Sequence, residues 1–437
     1  MFKKEFLPKD IPFNLEAMAD EMKWGSYGAH DPAIIKEGKM YYVFSTDTGS
    51  KGDFKAGIQI RQSSDLIHWT FVGRAFTDGV PKEAKEWTDA KGLWAPEVVK
   101  MNGRYYMYYS ASQFGKTQSF IGVAVSEVVT GPYEDLGLVY RSKEGTSGPN
   151  AIDPNITVTP EGRIYMVFGS FFGGIYVNEI NPETGKFKVC GEGKLIARRH
   201  RSVDRALEGP YIVYNPTYND YYLFVSYDSL FSDYNIRVGR SKSITGPYLD
   251  YNGKDLTDLE GNQDEIGMKV LGSYKFEESD GWLAPGHNSV LKDGENYFVC
   301  HHMREPINKH VHYVQIRKIL WTDEGWPLVS PERYAGEDNR EIDQDDLKGT
   351  WELITLDPNN HEQDISRHVV MTEAKDFPYF ESKQAKNSVK LHLCDGVLEG
   401  KVNVGWDWER WCETIVFAGY NDHGLVTFGK SVTNQSK

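Results

Sequence analysis

The chain of 437 residues lacks most features of a membrane protein, a nucleic-acid binder or a disulfide-rich protein. Its four cysteines match neither a zinc motif nor a disulfide framework, so we expect reduced thiols. No apolar run approaches the length of a membrane span. The formal net charge of −14 opposes binding to nucleic acid or an anionic membrane, because both need clustered basic residues. We therefore expect a neutral ligand and no nucleic-acid or membrane partner.

The N-terminal segment also lacks an apolar run long enough for a signal peptide. On that basis the sequence predicts a cytoplasmic protein, or a secreted one if a leader has been removed. The oligomeric state is left open.

Aromatic residues are abundant: they make up 13% of the chain, with 26 tyrosines and 11 tryptophans. Aromatic rings present flat apolar faces to sugar C–H groups, and Tyr and Trp also carry a polar group. The composition favours a carbohydrate-binding protein. The alternative is a β-rich core that uses the same residues for packing.

Five stretches of the chain repeat one pattern, in which an acid or a histidine stands just before a turn and an aromatic-rich strand. Helical signals are scarce in these stretches, and their Tyr, Phe and Val runs favour β structure. The five copies are HDPAIIKEGKMYYVFST from His30, WAPEVVKMNGRYYMYYSA from Trp94, IDPNITVTPEGRIYMVFGS from Ile152, EGPYIVYNPTYNDYYLFVS from Glu208 and GHNSVLKDGENYFVCHH from Gly286.

The anchor residues of the five copies lie 66, 56, 55 and 79 positions apart. They are Asp31, Glu97, Asp153, Glu208 and His287. Self-similarity at such a period indicates a repeat architecture, and small antiparallel sheets repeated radially form a propeller around one channel. The sequence therefore predicts an all-β, five-bladed β-propeller in which the anchors meet at one mouth of the channel.

A domain boundary is expected near Ala335. The polar, acidic stretch GEDNREIDQDD follows it and is typical of a linker. The runs SVKLHLCDG, GVLEGKVNVGW and ETIVFAGYND then alternate apolar and polar residues. We predict a catalytic propeller over residues 1–335 and a small C-terminal β domain, barrel-like or a β-sandwich, over 336–437, with a supporting or sugar-contacting role.

Three of the anchors are acids with different neighbours. Asp31 and Asp153 each precede Pro, whereas Glu208 precedes Gly-Pro and is one methylene longer. Glycosidic cleavage needs one carboxylic acid to protonate the leaving oxygen and one carboxylate on the other side of the sugar ring. A third carboxylate nearby would raise the pKa of the acid by like-charge repulsion. An isolated Asp-Pro is usually only a turn, but three acids at one register favour catalysis.

The order of these motifs resembles glycoside hydrolase family 43, a family of five-bladed propellers, over roughly the first three quarters of the chain. The resemblance implies that Asp31 is the general base, that Asp153 orients the acid and tunes its pKa, and that Glu208 is the general acid. It also implies inversion: a water held by Asp31 attacks as Glu208 protonates the departing oxygen, with the carboxyl groups about 6.5–9.5 Å apart.

Further phrases resemble the endo-1,5-α-L-arabinanase branch of that family, which includes two-domain bacterial members. They are GSFFGGIY from Gly169 and PGHNSV from Pro285. In that branch a fifth-blade histidine reaches a channel cation, usually calcium, and the matching residue is His287. One departure is Phe172, which stands where the branch often has Trp.

Several other residues have two interpretations. Trp94, Phe114 and Phe172 are candidate sugar platforms because they lie near the anchors or in loops between blades; blade packing is the alternative. Glu97 follows Pro rather than preceding it, which favours a structural hydrogen-bonding role over catalysis. Trp69 is expected to pack between blades, as is Trp321.

His301 and His302 could be mistaken for a zinc cluster, yet adjacent residues on a strand point to opposite faces, so only one can line the channel.

The resulting hypothesis is an inverting endo-hydrolase of α-1,5-linked L-arabinan or its oligosaccharides. One alternative on the same scaffold is an exo-acting α-L-arabinofuranosidase or β-xylosidase, since loops rather than fold set the substrate. The other is a non-catalytic propeller that binds glycans.

Overall fold

The computed structural model describes residues 2, 4–9, 18–49, 54–373, 377–383, 386–394 and 396–432. Most of these residues lie in β-strands. The α-helix α1 spans Lys82–Thr88. Short 3-10 helices lie at Lys4–Phe6, Glu21–Lys23, Arg201–Val203, Gln263–Glu265 and Gln344–Leu347. Every helix among the described residues is too short or too polar to cross a membrane.

Five antiparallel sheets follow one another along the chain, and each begins with one of the repeated sequence stretches. Blade 1 contains β1 (Ala33–Glu37), β2 (Met40–Ser45), β3 (Gln59–Ser63) and β4 (Thr70–Arg74). Blade 2 contains β5 (Trp94–Met101), β6 (Arg104–Ala111), β7 (Phe120–Ser126) and β8 (Glu134–Arg141). Blade 3 contains β9 (Asn155–Val158), β10 (Ile164–Ser170), β11 (Gly174–Asn181), β12 (Lys186–Phe187) and β13 (Lys194–Ala197).

Blades 4 and 5 complete the set. Blade 4 contains β14 (Leu207–Asn215), β15 (Asp220–Tyr227), β16 (Asn235–Ser241) and β17 (Met268–Leu271). The short strand β18 (Tyr274–Lys275) precedes blade 5, which contains β19 (Leu283–Asp293), β20 (Asn296–Glu305), β21 (Asn308–Trp321) and β22 (Pro327–Val329).

The first strands of the five blades form a closed ring. β1 contacts β5, β5 contacts β9, β9 contacts β14, β14 contacts β19, and β19 returns to β1. Side chains join neighbouring blades: the Ser289 hydroxyl in blade 5 donates to the Pro32 carbonyl at 2.7 Å, and Ile34 N donates to that hydroxyl at 3.2 Å. The predicted five-bladed β-propeller is confirmed.

The repeated sequence phrases fold alike. In the TGPY phrase of blade 2 the Tyr133 hydroxyl donates to the Val129 carbonyl at 2.8 Å, and in that of blade 4 the Tyr248 hydroxyl donates to the Ile244 carbonyl at 2.9 Å. Trp69 is buried in a cluster shared by blades 1 and 5, as expected.

One backbone position recurs in every blade, at the start of the innermost strand. Its residue has a positive φ, between 38° and 59°, in all five copies: Asp31, Ala95, Asp153, Gly209 and His287. Glu208 therefore lies one residue before the shared position, and Glu97 lies two residues after it. The expectation that the three acids share one register is wrong for Glu208, because a repeat read from sequence alone can slip by a residue where side chains differ.

The C-terminal domain is a seven-stranded antiparallel sheet with strand order β25-β23-β30-β29-β28-β27-β26. These strands are β23 (Gly349–Thr355), β25 (Arg367–Met371), β26 (Tyr379–Ser382), β27 (Ser388–Leu393), β28 (Gly396–Asp407), β29 (Cys412–Tyr420) and β30 (Val426–Ser431). β24 (Asp364–Ile365) instead pairs in parallel with β18. The predicted small β domain is confirmed, whereas its exact limits, 336–437, stay a prediction.

Buried side chains also join the two domains. Phe428 and Ile354 of the sheet belong to one apolar cluster with residues of blades 4 and 5, and Trp321 packs against that cluster. The C-terminal domain therefore lies against the side of the propeller formed by blades 4 and 5.

Candidate active site

The channel opens at one mouth into a cavity of about 760 Å³. Asp31, Asp153, Glu208 and His287 all line it, although they come from four different blades. Closure of the ring produces this meeting, because the innermost strands of all blades begin at the same mouth. The structure therefore brings together the three acids and the histidine that the repeat singled out.

Asp31 is buried among hydrogen-bond donors. The Thr46 hydroxyl donates to its Oδ2 at 2.6 Å, His30 Nδ1 lies 3.0 Å from that oxygen, and His287 Nδ1 lies 3.1 Å from Oδ1. Burial alone would raise the pKa of Asp31, but the imidazoles of His287, His30 and His302 lower it well below its usual range. Asp31 is therefore a carboxylate at neutral pH.

Glu208 is held by two hydroxyl groups. Ser170 Oγ donates to Oε2 at 3.0 Å, and the Tyr234 hydroxyl donates to Oε1 at 2.8 Å. Burial raises the pKa of Glu208 to about 6; the Tyr234 hydrogen bond opposes this rise, and the negative charge of Asp31 adds to it. Repulsion was expected from the third carboxylate, Asp153; in the structure it comes from Asp31, and burial contributes more to the rise than this repulsion does.

Asp153 interacts electrostatically with both of the other acids. Its Oδ2 accepts from Gly209 N at 3.1 Å, and its own N–H donates to Ser110 Oγ at 3.0 Å. Burial and the negative charges of Glu208 and Asp31 raise the pKa of Asp153 well above its usual range. Asp153 therefore fixes the backbone directly beside Glu208 and resists losing its own proton.

His287 and His302 both face Asp31, whereas His301 does not. His302 Nδ1 accepts from Asp31 N at 3.3 Å, so its proton lies on Nε2. His301 Nδ1 lies 3.1 Å from the His302 carbonyl oxygen, and burial lowers the pKa of His301 to about 3. The adjacent histidines point to opposite faces, as expected. Ligand atoms of His30, Asp31 and His302 lie within 4.8 Å of one another.

The three predicted sugar platforms line the same cavity. Trp94 is partly buried, Phe172 is 49% exposed and Phe114 is 74% exposed. The Phe114 ring meets the Phe231 ring at a centroid distance of 6.0 Å, so a loop of blade 2 touches a loop of blade 4 at the mouth. Their placement allows contact with a ligand, and their roles stay a prediction.

Glu97 does not line the cavity. It is buried between blades 2 and 3, where Oε1 accepts from Asn155 Nδ2 at 2.9 Å and from Ile156 N at 3.4 Å. Burial raises the pKa of Glu97 to about 8. The structure gives it the hydrogen-bonding position that the sequence analysis expected.

Sequence reasoning missed Tyr234, which follows β15 in a loop without a recognisable motif. Its ring stacks on His302 at 5.7 Å and 13° and fills the space beside Gly286. A Cβ at Gly286 would lie 1.9 Å from a ring carbon of Tyr234. Gly286 in the PGHNSV phrase was therefore a sequence signal for this contact, because a glycine leaves room for another side chain, here Tyr234, to pack against the backbone.

Sequence reasoning also missed Arg304 at the cavity wall. Its Nη1 donates to the Lys309 carbonyl, while its buried Nε and Nη2 have no partner within the described ranges. Its guanidinium lies 5.4 Å from the Phe231 ring centroid. Among the described residues, Arg304 therefore carries two buried, unpaired donors beside the cavity.

A five-bladed propeller with a carboxylate and a carboxyl group of raised pKa at the channel mouth has the groups that glycosidic cleavage requires. The sequence profile of Glycosyl hydrolases family 43 matches residues 25–327, and that of a C-terminal lipocalin-like domain matches residues 331–429. The chain belongs to glycosyl hydrolase family 43 and is a glycoside hydrolase with a five-bladed propeller.

Two relatives resemble it over nearly the whole chain, and a third resembles it over part of the chain. Extracellular endo-α-(1→5)-L-arabinanase 2 of Bacillus subtilis (strain 168) is 33% identical over 452 residues, with 92% of each chain covered. The crystal structure of the endo-1,5-α-L-arabinanase from Thermotoga petrophila RKU-1 superposes with a TM-score of 0.84 at 30% identity, covering 94% of this chain and 99% of that one. The extracellular exo-α-(1→5)-L-arabinofuranosidase ArbA of Cellvibrio japonicus is 34% identical over 320 residues, 69% of this chain and 86% of its own.

The expected cytoplasmic location is contradicted by these relatives. The Bacillus and Cellvibrio proteins are both named as extracellular. The expectation rested only on a missing apolar run near the first residue, and such an absence does not report the compartment in which a protein works.

Proposed function

We propose that the protein hydrolyses internal α-1,5-L-arabinofuranosidic bonds of linear arabinan or arabino-oligosaccharides with inversion at the anomeric carbon. The observation that carries the proposal is the opposite shift of two pKa values in one cavity, downward for Asp31 and upward for Glu208. Such a pair separates the base from the acid. The substrate class is supported by the names of the relatives.

Asp31 acts as the general base. The Thr46 hydroxyl and His30 hold Oδ2, while His287 holds Oδ1, so the carboxylate is both ionised and oriented. It takes a proton from a water molecule as the water oxygen bonds to the anomeric carbon. Attack from the face opposite the leaving group inverts the configuration.

Glu208 acts as the general acid and gives its proton to the departing glycosidic oxygen as the carbon–oxygen bond breaks. Its pKa of about 6 keeps much of it protonated in mildly acidic solution. Asp153 does not take part in proton transfer in this scheme. Its contact with Gly209 N positions the residue that follows the acid.

We also propose a cation, calcium by family resemblance, on His287. The imidazole directs Nδ1 to Asp31, and Nε2 has no hydrogen bond among the described residues, so one nitrogen remains for a ligand bond. A single imidazole fits calcium only if water supplies most of the remaining ligands. A bound cation would add positive charge near Asp31 and favour its carboxylate form.

Metal analysis tests that assignment. Purified wild-type protein, loaded with calcium and desalted, should retain about one ion, whereas His287→Ala should retain none. Zinc measured in the same samples identifies the alternative set of His30, Asp31 and His302. Equal calcium in both proteins would reject His287 as the ligand.

The first test of function is a product profile. Debranched linear arabinan and, separately, aryl arabinofuranoside and aryl xyloside are incubated with the protein, and chain lengths are followed in time. Early mixtures of oligosaccharides support endo action. No cleavage of any substrate, with calcium present, would leave a glycan-binding propeller as the better proposal.

Substitution of the acids tests their roles. Asp31→Asn, Asp153→Asn and Glu208→Gln should each lower kcat by about a hundredfold or more while the protein stays folded. Glu97→Gln is the matched control, because Glu97 is also a buried carboxyl group but lies outside the cavity. A variant of the three with wild-type activity would remove its residue from the mechanism.

Exo action is the second candidate, and one observation favours it. The contact between the rings of Phe114 and Phe231 narrows the mouth, as a chain-end-specific site requires. Release of arabinose alone from linear arabinan would establish this mode and reject endo cleavage.

A further inference from the structure

The C-terminal domain reaches the active-site cavity through one side chain. Among the described residues from 336 onward, His361 lines the cavity together with residues of the propeller. It lies in the loop between β23 and β24. The catalytic cavity is therefore built from both domains.

This loop is fixed to blade 4 by buried cations. Lys269 Nζ donates to the Asp357 carbonyl at 2.7 Å, and Arg237 Nη2 donates to the Pro358 carbonyl at 3.1 Å. Both side chains are almost fully buried in the propeller. Because the backbone just before His361 is held in this way, its imidazole is presented to the cavity wall at a defined position.

His361, from the C-terminal domain, contacts a turn of blade 4 formed by residues 229–233. Its Nδ1 lies 2.8 Å from Asp233 Oδ2. The other oxygen of Asp233 accepts from Ser229 N at 3.2 Å and from the Ser232 hydroxyl at 2.6 Å. Asp233 therefore ties the turn of residues 229–233 together, and His361 ties Asp233 to the C-terminal domain.

The other acids nearby already have a cation. Arg199 is buried and donates to Asp228 at 2.5 Å and to Asp264 at 2.6 Å. His361 Nε2 lies 3.6 Å from Asp264 Oδ2. Arg199 neutralises the negative charges of Asp228 and Asp264. The main hydrogen-bonding contact of His361 is therefore the one with Asp233.

The turn carries a cavity residue at its tip. Phe231 meets Phe114 across the mouth and lies above the Arg304 guanidinium. Tyr234 follows the turn, but its ring is held separately by His302 and by the space at Gly286. Movement of the turn would therefore displace Phe231 more than it displaces the contact between Tyr234 and Glu208.

We infer that His361 is a positioning residue through which the C-terminal domain sets the Phe231 side of the sugar-binding cavity. Its action is on binding of the arabinan chain, and the inference rests on the proposed function for that substrate. Proton transfer is affected little, because no acid of the mechanism contacts the turn directly.

Kinetics on arabino-oligosaccharides test the inference. His361→Ala should raise KM about fivefold, the range of one aromatic contact, with kcat within about twofold. His361→Asn should restore KM, because the Asn amide nitrogen can occupy the place of Nδ1. His423→Ala, an exposed histidine of the same domain, is the control and should change neither constant.

A double-mutant cycle tests the route. Phe231→Ala should raise KM by a similar factor, and adding His361→Ala to it should raise KM no further. Full additivity of the two effects, or an unchanged KM in His361→Ala, would overturn the inference. A loss confined to kcat would also overturn it.

Hydrogen exchange without substrate separates this inference from the proposed function. Amides of residues 229–234 should exchange at least about threefold faster in His361→Ala than in wild type and return to the wild-type rate in His361→Asn. Wild-type protein that fails to cleave arabinan would reject the proposed function and leave this comparison intact. Equal exchange in wild type and His361→Ala would reject the positioning role.

Discussion

The hydrogen bond from Tyr234 to Glu208 can be removed with little change of shape. Tyr234→Phe deletes one hydroxyl group, 2.8 Å from Glu208 Oε1. The ring should stay in place, because it stacks on His302 and fills the space beside Gly286. The substitution therefore isolates the effect of one donor on the acid.

The direction of the effect follows from the charge of the acceptor. A hydrogen bond to a charged group contributes about 1.5–3 kcal/mol, and the Tyr234 bond lowers the pKa of Glu208 by favouring its ionised form. The protonated acid still accepts a weaker hydrogen bond from Tyr234, so only the difference between the two hydrogen bonds shifts the pKa. At about 1.4 kcal/mol per pKa unit, the loss should raise the pKa of Glu208 by about one unit, from about 6 toward 7.

The assay is kcat/KM against pH on an arabino-oligosaccharide. Its upper limb reports the acid of the free enzyme, and because Asp153 and Glu208 interact, the limb belongs to the pair. In Tyr234→Phe the upper limb should move up by about one pH unit. Tyr222→Phe, a buried tyrosine of the same blade that donates to the Gly325 carbonyl, is the control and should leave the limb unmoved. A limb in Tyr234→Phe that stays in place or moves down would refute the reasoning.

Four further substitutions test other contacts, the last of them as a control. Gly286→Ala would place a Cβ 1.9 Å from the Tyr234 ring, so it should lower kcat/KM more than Tyr234→Phe does; equal activity of Gly286→Ala and wild type would contradict this. The pKa of Glu97, raised to about 8, means that the folded state holds this proton more tightly, so stability falls as pH rises from about 4.5 to about 8. Glu97→Gln should remove that decline and unfold at a higher temperature than wild type at pH 9; a lower unfolding temperature would show that the charge is stabilised there. Lys430→Met removes the cation that contacts Glu332, Glu409 and Asp407 at 2.8, 2.7 and 3.3 Å, and should lower the free energy of unfolding by about 3–5 kcal/mol in urea titrations. Lys348→Met removes only exposed pairs and should lower the free energy of unfolding far less than Lys430→Met does; equal losses in the two lysine variants would refute the burial argument.

The repeats made the fold and the meeting of the acids predictable. Each copy carries the start of an innermost strand, and ring closure then determines that these starts converge. The acid alone misplaces the register in blade 4, whereas proline marks it: Pro32, Pro96, Pro154 and Pro210 each follow the shared position directly, which puts Gly209 there and leaves Glu208 one residue earlier.

The side chains that orient the acids were not predictable for a different reason. Thr46, Ser170 and Tyr234 lie at strand ends or in loops, where sequence constrains conformation weakly and no spacing connects them to their acid. His361 comes from the second domain, so its place at the cavity depends on how two sheets pack. Such contacts between distant segments arise from packing rather than from local pattern.

The recurring positive-φ position gives the propeller five nearly equivalent backbone sites around one axis. All five of their N–H groups donate to a side chain of the preceding blade: Thr46, Ser110, Asp153, Ser226 or His302. The backbone is thus close to fivefold symmetric, while the proposed reaction is directional, with proton uptake on one side and proton delivery on the other. The side chain that each blade places at this position determines the direction of proton transfer. Ala95 shows that the fold itself requires no functional group there.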